Sequence, residues 1–227
     1  MIAQNVQNII EKVEFCCKKH GRKNTDVMLI AVSKNFGVEE IREAHKASLI
    51  NFGENKAQEL ENKFNILGNM VNWHFIGHLQ VNKVKYVAKS AGVIHSVDSF
   101  KLADEINKRA ANLDKIQNIL LEIKTSDEAS KFGVTDENEI IKLAEHCAVS
   151  SNLKLLGLMT IAPFTDDEVL IRKSFSGLRE LKDRLNSRGH NLTELSMGMT
   201  HDFEIAIEEG STMLRIGTAI FGERNYN

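Results

Sequence analysis

Two amines and a pair of glycine-containing turns carry the chemistry this sequence offers. Lys34 directly follows the strongest apolar run of the chain, VMLIAVS (27–33). An amine held where water is scarce loses solvation in its charged form, which lowers its pKa and makes it a nucleophile toward aldehydes. A lysine fully in water has no such property, so Lys34 carries this reading only if its run ends at a pocket. Lys124, after NILLEI (118–123), is the rival amine. Nearer the C-terminus, Ser196-Met197-Gly198 and Arg215-Ile216-Gly217-Thr218 close two further runs. Hydroxyls, backbone N–H groups and glycines that admit close approach form phosphate cradles, although the same residue types also make ordinary turns. An aldehyde-reactive lysine beside a phosphate cradle points to pyridoxal phosphate or to a phosphorylated carbonyl substrate.

Other polar residues offer less. His74 and His78 share a strand face and His95 lies within reach, but no carboxylate or cysteine stands at ligand spacing. Hydrogen-bonded structural histidines are the reading, ahead of a metal site. Cys16, Cys17 and Cys147 form neither a CxxC nor a disulfide framework, and read as buried thiols. Met197, Met199 and Met213 read as packing residues.

The elements that must position these groups alternate along the chain. Apolar runs of strand length occur at 27–33, 49–53, 73–77, 92–97, 118–123, 153–159, 193–197 and 212–217. Between them, Val38–Ala47, Ala57–Phe64, Val81–Ser90, Phe100–Ala111, Glu137–Cys147, Val169–Leu185 and Phe203–Glu209 repeat apolar residues every three to four positions. An amphipathic helix precedes the first run and a short one follows the last. Several runs are apolar almost throughout, as in a parallel sheet covered on both faces. The pattern predicts a single α/β domain over residues 1–227, a (β/α)8 TIM barrel with an extra N-terminal helix. The alternative, an open doubly wound sheet, expects a GxGxxG after the first strand, where this chain has VSKNFG. In a barrel the chemistry sits at the C-terminal strand ends, which is where Lys34, Lys124 and both turns fall.

Composition narrows the class. The 227 residues carry 29 Lys+Arg against 31 Asp+Glu, a formal charge of −2, so no basic excess indicates nucleic acid or an anionic membrane as partner. With 42% hydrophobic residues the chain can build a core, yet no stretch approaches the roughly 18 apolar residues of a membrane span. The N-terminal residues lack the pattern of a secretory signal, and the expected location is the cytoplasm.

Motifs spread along the chain then become recognisable: AVSK (31–34), FGENKAQE (52–59), WHFIGHLQVNK (73–83), HSVDS (95–99), SKFG (130–133), GLMTIAP (157–163), SMGMTHDFEIAI (196–207) and RIGTAIFG (215–222). Over roughly residues 5–224 the sequence resembles the pyridoxal-phosphate homeostasis protein family, whose barrel is similar to the N-terminal domain of alanine racemase, the type III fold of pyridoxal-phosphate proteins. The resemblance implies pyridoxal 5'-phosphate as cofactor, held as an aldimine on Lys34. It implies phosphate contacts from Ser196 and Met197 (backbone), with Gly217 and Thr218, and Arg215 facing the pyridine nitrogen. It also implies a pocket lined by Asn55, His78, Ser96 and Met159, and no metal.

The family usually reads SKTxP where this chain has Ser33-Lys34-Asn35-Phe36-Gly37, and often has Asn where Lys124 stands. Thr200 replaces a common Ser and keeps the hydroxyl. The implied role is to hold, buffer and deliver the cofactor within the cell, as a monomer with apo forms of pyridoxal-phosphate enzymes as partners and without robust turnover. The alternatives are an amino-acid racemase and a Schiff-base lyase acting on a phosphorylated carbonyl compound. The racemase needs a tyrosine base that the family's related enzyme takes from a further domain; the tyrosines here are Tyr86, in a helical segment, and Tyr226, at the terminus.

Overall fold

A computed structural model describes residues 1–125 and 132–222; Ser130 and Lys131 of the SKFG motif and Tyr226 lie outside the described residues. Eight parallel strands close into a barrel in sequence order. They are β1 (Met28–Val32), β2 (Asn51–Glu54), β3 (Asn72–Phe75), β4 (Val93–Val97), β5 (Gln117–Glu122), β6 (Leu153–Met159), β7 (Glu194–Ser196) and β8 (Met213–Ile216). Closure comes from β1 pairing with β8, Met28 to Met213 and Ala31 to Ile216. The helices are α1 (Ile2–Lys19), α2 (Val38–Lys46), α3 (Ala57–Leu67), α4 (Val84–Ser90), α5 (Phe100–Asn112), α6 (Glu137–Val149), α7 (Glu168–Ser187), α8 (Phe203–Glu208) and the short α9 (Thr218–Phe221). The expected barrel, with a helix before it and a short one after it, is the fold observed. Among the described residues no helix is long and apolar enough to cross a membrane.

Two of the helices start at side-chain caps that the sequence supplies. Asp136 accepts from the Glu139 N–H ahead of α6, and Asp167 accepts from the Val169 and Leu170 N–H groups ahead of α7. Val6, Ile9, Val13 and Cys16 form the buried stripe of α1, which lies against α2, α8 and α9. Most of the core fills the space between strands and helices, including all three cysteines. Burial pushes the Cys147 thiol up to about 12, so it stays protonated.

A second, smaller apolar cluster of Ile30, Val93, Leu120, Met159 and Met213 plugs the barrel interior. Strand alternation places side chains above and below this plug. Along β1, Met28 lines a cavity at the N-terminal end and Ile30 lies in the plug, while Val32 and Lys34 line the C-terminal mouth. On β5 the same phase carries Asn118, Leu120, Glu122 and Lys124 from one end to the other. Lysine 34 and Lys124 thus reach the same rim.

Candidate functional site

The mouth holds a cavity of about 200 Å³. Its polar wall is Lys34, Asn55, Thr200, His201, Arg215 and Thr218, with Gly217 at the end of β8; Val32, Ile76, Ile161 and Met199 supply the apolar wall. Lys34 sits in a tight turn in which the Phe36 N–H donates to the Ser33 carbonyl at 3.0 Å. Asn35 takes a left-handed conformation there (φ 67°), which asparagine tolerates better than most residues. Phe36 stacks on Phe221 of α9 with ring centroids 4.8 Å apart, joining the lysine loop to the last helix.

The loop after β7 is shaped by Gly198, at φ 97°. A Cβ there would stand 2.6 Å from Ala206 Cβ and 2.8 Å from Leu214 Cδ2, so glycine alone fits. Asp202 then accepts from the Met199 N–H, and Thr200 and His201 are carried over the mouth. Beside them, α9 begins at Thr218, and the first amides of a helix have no acceptor within it.

Arg215 is buried and fixed from below. One terminal nitrogen donates to Ser196 Oγ at 2.6 Å, the other to the Thr160 carbonyl at 2.8 Å. Burial lowers its pKa to about 10, which leaves it charged at neutrality. Ser196 Oγ also lies 2.9 Å from His95 Nδ1, and His95 Nε2 lies 3.0 Å from His74 Nδ1. Burial pulls His74 down to about 4 and holds His95 well below its ordinary value, so both rings are neutral. The histidines are hydrogen-bonded to each other beneath the mouth, and among the described residues no group of three metal-ligating side chains is present.

A second cavity of about 270 Å³ adjoins the first and shares Asn55, Ile76 and Ile161 with it. His78, Glu122, Lys124 and Phe132 complete much of its wall. Gly77 lets this wall form, since a Cβ there would sit 2.3 Å from the Asn55 carbonyl oxygen. His78 stacks on Phe132 at 3.8 Å and lies 3.7 Å from Asp98. Burial, with the Asp98 charge adding to it against Arg215, raises the Glu122 carboxyl to about 7. Glu122 Oε2 and Asn55 Oδ1 are buried acceptors without a hydrogen-bond partner.

Of the residues singled out from the sequence, the structure brings Lys34, Asn55, Arg215, Gly217 and Thr218 into one cavity and sets His78 in the adjoining one. It does not bring Ser96, Met159, Ser196 and Met197 to the cavity wall. All four are buried: Met159 in the plug, Met197 in the outer core, Ser96 with its hydroxyl unpartnered. The Ser196 hydroxyl is taken by Arg215 and His95, so the hydroxyls lining the mouth are those of Thr200 and Thr218. Thr200, His201 and Glu122 are the polar wall residues that the sequence reading did not assign. The signal for the first two was Gly198, whose left-handed turn hands the mouth to the residues after it.

A parallel barrel with a lysine closing its first strand and an arginine and threonine closing its last is an alanine-racemase-type barrel. The family model described as "Alanine racemase, N-terminal domain" matches residues 5–225. The chain is 43% identical over 226 residues to the pyridoxal phosphate homeostasis protein of Aquifex aeolicus, covering 98% of each. The structure of PipY from Synechococcus elongatus with PLP bound superposes with a TM-score of 0.86 at 32% identity, over 98% of this chain and 100% of that one. Alanine racemase from Clostridium difficile shares the fold alone, with TM-score 0.80 and 15% identity over 99% of this chain and 58% of the racemase. The chain therefore belongs to the alanine racemase N-terminal domain family and, within it, to the pyridoxal phosphate homeostasis proteins.

Proposed function

We propose that this protein binds pyridoxal 5'-phosphate at the barrel mouth and holds it as an intracellular reserve without turning it over. The observation that carries this reading is one cavity walled by a lysine, a fixed arginine and two threonine hydroxyls. The donor set fits the molecule: an amine for its aldehyde, hydroxyls and helix-start amides for its phosphate, a guanidinium for its ring nitrogen. When bound, pyridoxal phosphate supplies an electron sink for carbanions formed next to an amine. Arg215 works against that chemistry, because a guanidinium only donates and leaves the ring nitrogen it faces unprotonated. Lys34 would hold the cofactor covalently, Thr200 and Thr218 would orient the phosphate, and Ile76 and Ile161 would keep water from the ring. Relatives named for homeostasis rather than for a reaction support the carrier role. The working form is a cytoplasmic monomer that gives up its cofactor to apo-enzymes.

The test is the absorption spectrum of the purified protein with pyridoxal phosphate, followed by borohydride reduction and peptide mapping. A long-wavelength band, lost in Lys34→Ala and fixed by reduction on the Lys34 peptide, is the expected result. Label on Lys124 or Lys56 instead would move the site to another amine.

A further inference from the structure

Lys63 stands outside the mouth, on α3, yet its ammonium is buried and fully used. It donates to the Ser33 carbonyl at 2.8 Å, to Glu54 Oε1 at 2.7 Å and to Glu59 Oε1 at 2.8 Å. Three protons meet three oxygens, so the group has one orientation. The same two carboxylates reach the chain on both sides of Lys34. Glu54 Oε1 accepts from the Ser33 hydroxyl at 2.6 Å, and Glu59 Oε1 accepts from the Asn35 N–H at 2.6 Å. The Ser33 N–H is bonded in turn to the Gly53 carbonyl at 3.1 Å.

Every polar group recorded in this clamp therefore converges on residues 33 and 35, the neighbours of the lysine. Residues 33–37 contain no proline, so ring constraint does not stiffen this turn. Asn35 is in the left-handed region, a conformation that drifts unless something holds it. A buried, charge-assisted clamp supplies that hold. It is also placed at a cost that a merely structural turn does not require. Burial raises the Glu54 carboxyl to about 7 even though Lys63 and Ser33 pull it down, and Glu54 Oε2 has no partner.

We infer that Lys63, through Glu54 and Glu59, is a positioning residue for Lys34: it fixes the turn at Ser33 and Asn35 so that the Lys34 amine enters the mouth at the angle an aldehyde requires. This inference rests on the cofactor reading above. A ligand that must react with Lys34 depends on the clamp, whereas one that only fills the cavity does not.

The experiment compares pyridoxal 5'-phosphate with 4-deoxypyridoxine 5'-phosphate, which has the ring and phosphate but no aldehyde. Both are titrated into wild type, Lys63→Met and Glu59→Ala. Thermal unfolding of each variant is recorded alongside. Glu59 is only partly buried, so its variant keeps the question answerable if loss of Lys63 prevents folding. The expected result is at least a tenfold loss of pyridoxal-phosphate affinity in Lys63→Met and a threefold loss in Glu59→Ala. The deoxy analogue should change less than twofold in both. Faster amide exchange at Asn35 and Phe36 without ligand should accompany the loss. Equal losses for the two ligands would make the clamp a general structural feature, and unchanged pyridoxal-phosphate affinity in both variants would remove its link to Lys34. Failure of wild type to bind either ligand would overturn the cofactor reading itself, which the variants do not bear on.

Discussion

Arg215 can only donate hydrogen bonds, so the groups beneath it must accept. Ser196 Oγ accepts from Arg215 and shares a hydrogen bond with His95 Nδ1, and His95 Nε2 shares another with His74 Nδ1. The Ser196 hydroxyl is thus part of the arginine's support. Ser196→Ala should leave a buried guanidinium N–H unpaired, with a stability loss of about 1–3 kcal/mol. It should weaken pyridoxal and pyridoxal phosphate by the same factor. Thr200→Val and Thr218→Val should act differently. Each removes a hydroxyl bond to an anion worth about 1.5–3 kcal/mol, hence about one to two decades in affinity for the phosphate ester and little for pyridoxal. Parallel titrations of the three variants with both ligands decide this. A phosphate-selective loss in Ser196→Ala would return Ser196 to the cradle.

At the scale of elements, the sequence exposes periodicity and hides facing. The runs at 153–159 and 27–33 appear as β6 (Leu153–Met159) and β1 (Met28–Val32) because apolar length and flanking polar residues mark both ends. The segment Val81–Ser90 reads as one helix but begins as a 3-10 turn, Val81–Lys83, before α4. Its recurrence every three to four positions suits either geometry. Lys34, Arg215 and Thr218 stand out in the sequence because each lies at, or within two residues of, the end of an apolar strand run. Strand β7 is only Glu194–Ser196, and three residues carry too little alternation to tell wall from interior. The strand therefore does not tell that the Ser196 hydroxyl turns to Arg215 and His95, nor that the turn at Gly198 brings Thr200 and His201 to the wall. Glu122 was hidden for a related reason: a carboxylate at a strand end reads as solvated, and its burial comes from β4 and β6 on either side.

At the scale of the whole molecule, two buried carboxyls and two buried imidazoles tie stability to pH in opposite senses. Glu54 and Glu122 are raised from near 4.5 to about 7, so the folded state binds protons that the unfolded chain has released. Their contribution is full below pH 4.5 and is lost as pH rises through 7. His74 and His95 are lowered, so their contribution is full above pH 6.5 and is lost as pH falls toward 4. Urea unfolding at pH 5 and pH 8 should show Glu122→Gln gaining on wild type as pH rises, by on the order of 3 kcal/mol at most. A difference that stays flat would mean Glu122 does not titrate in this range. Catalysis is the other property that belongs to the molecule as a whole. Moving a proton at an amino acid's α-carbon needs a base on each side and a ring able to accept electrons. Tyr86, the tyrosine within the described residues, lies on α4 against Lys83 and Lys85 and outside both mouth cavities. Arg215, in the role proposed for it, would leave the ring nitrogen it faces unprotonated. Loss of a positioned base alone removes about 10²–10⁴-fold in rate. Protein loaded with pyridoxal phosphate and incubated with L-alanine should therefore show no D-alanine by chiral chromatography beyond that formed by free cofactor. Turnover near 1 s⁻¹ that disappears in Lys34→Ala would make the barrel a racemase instead of a reserve.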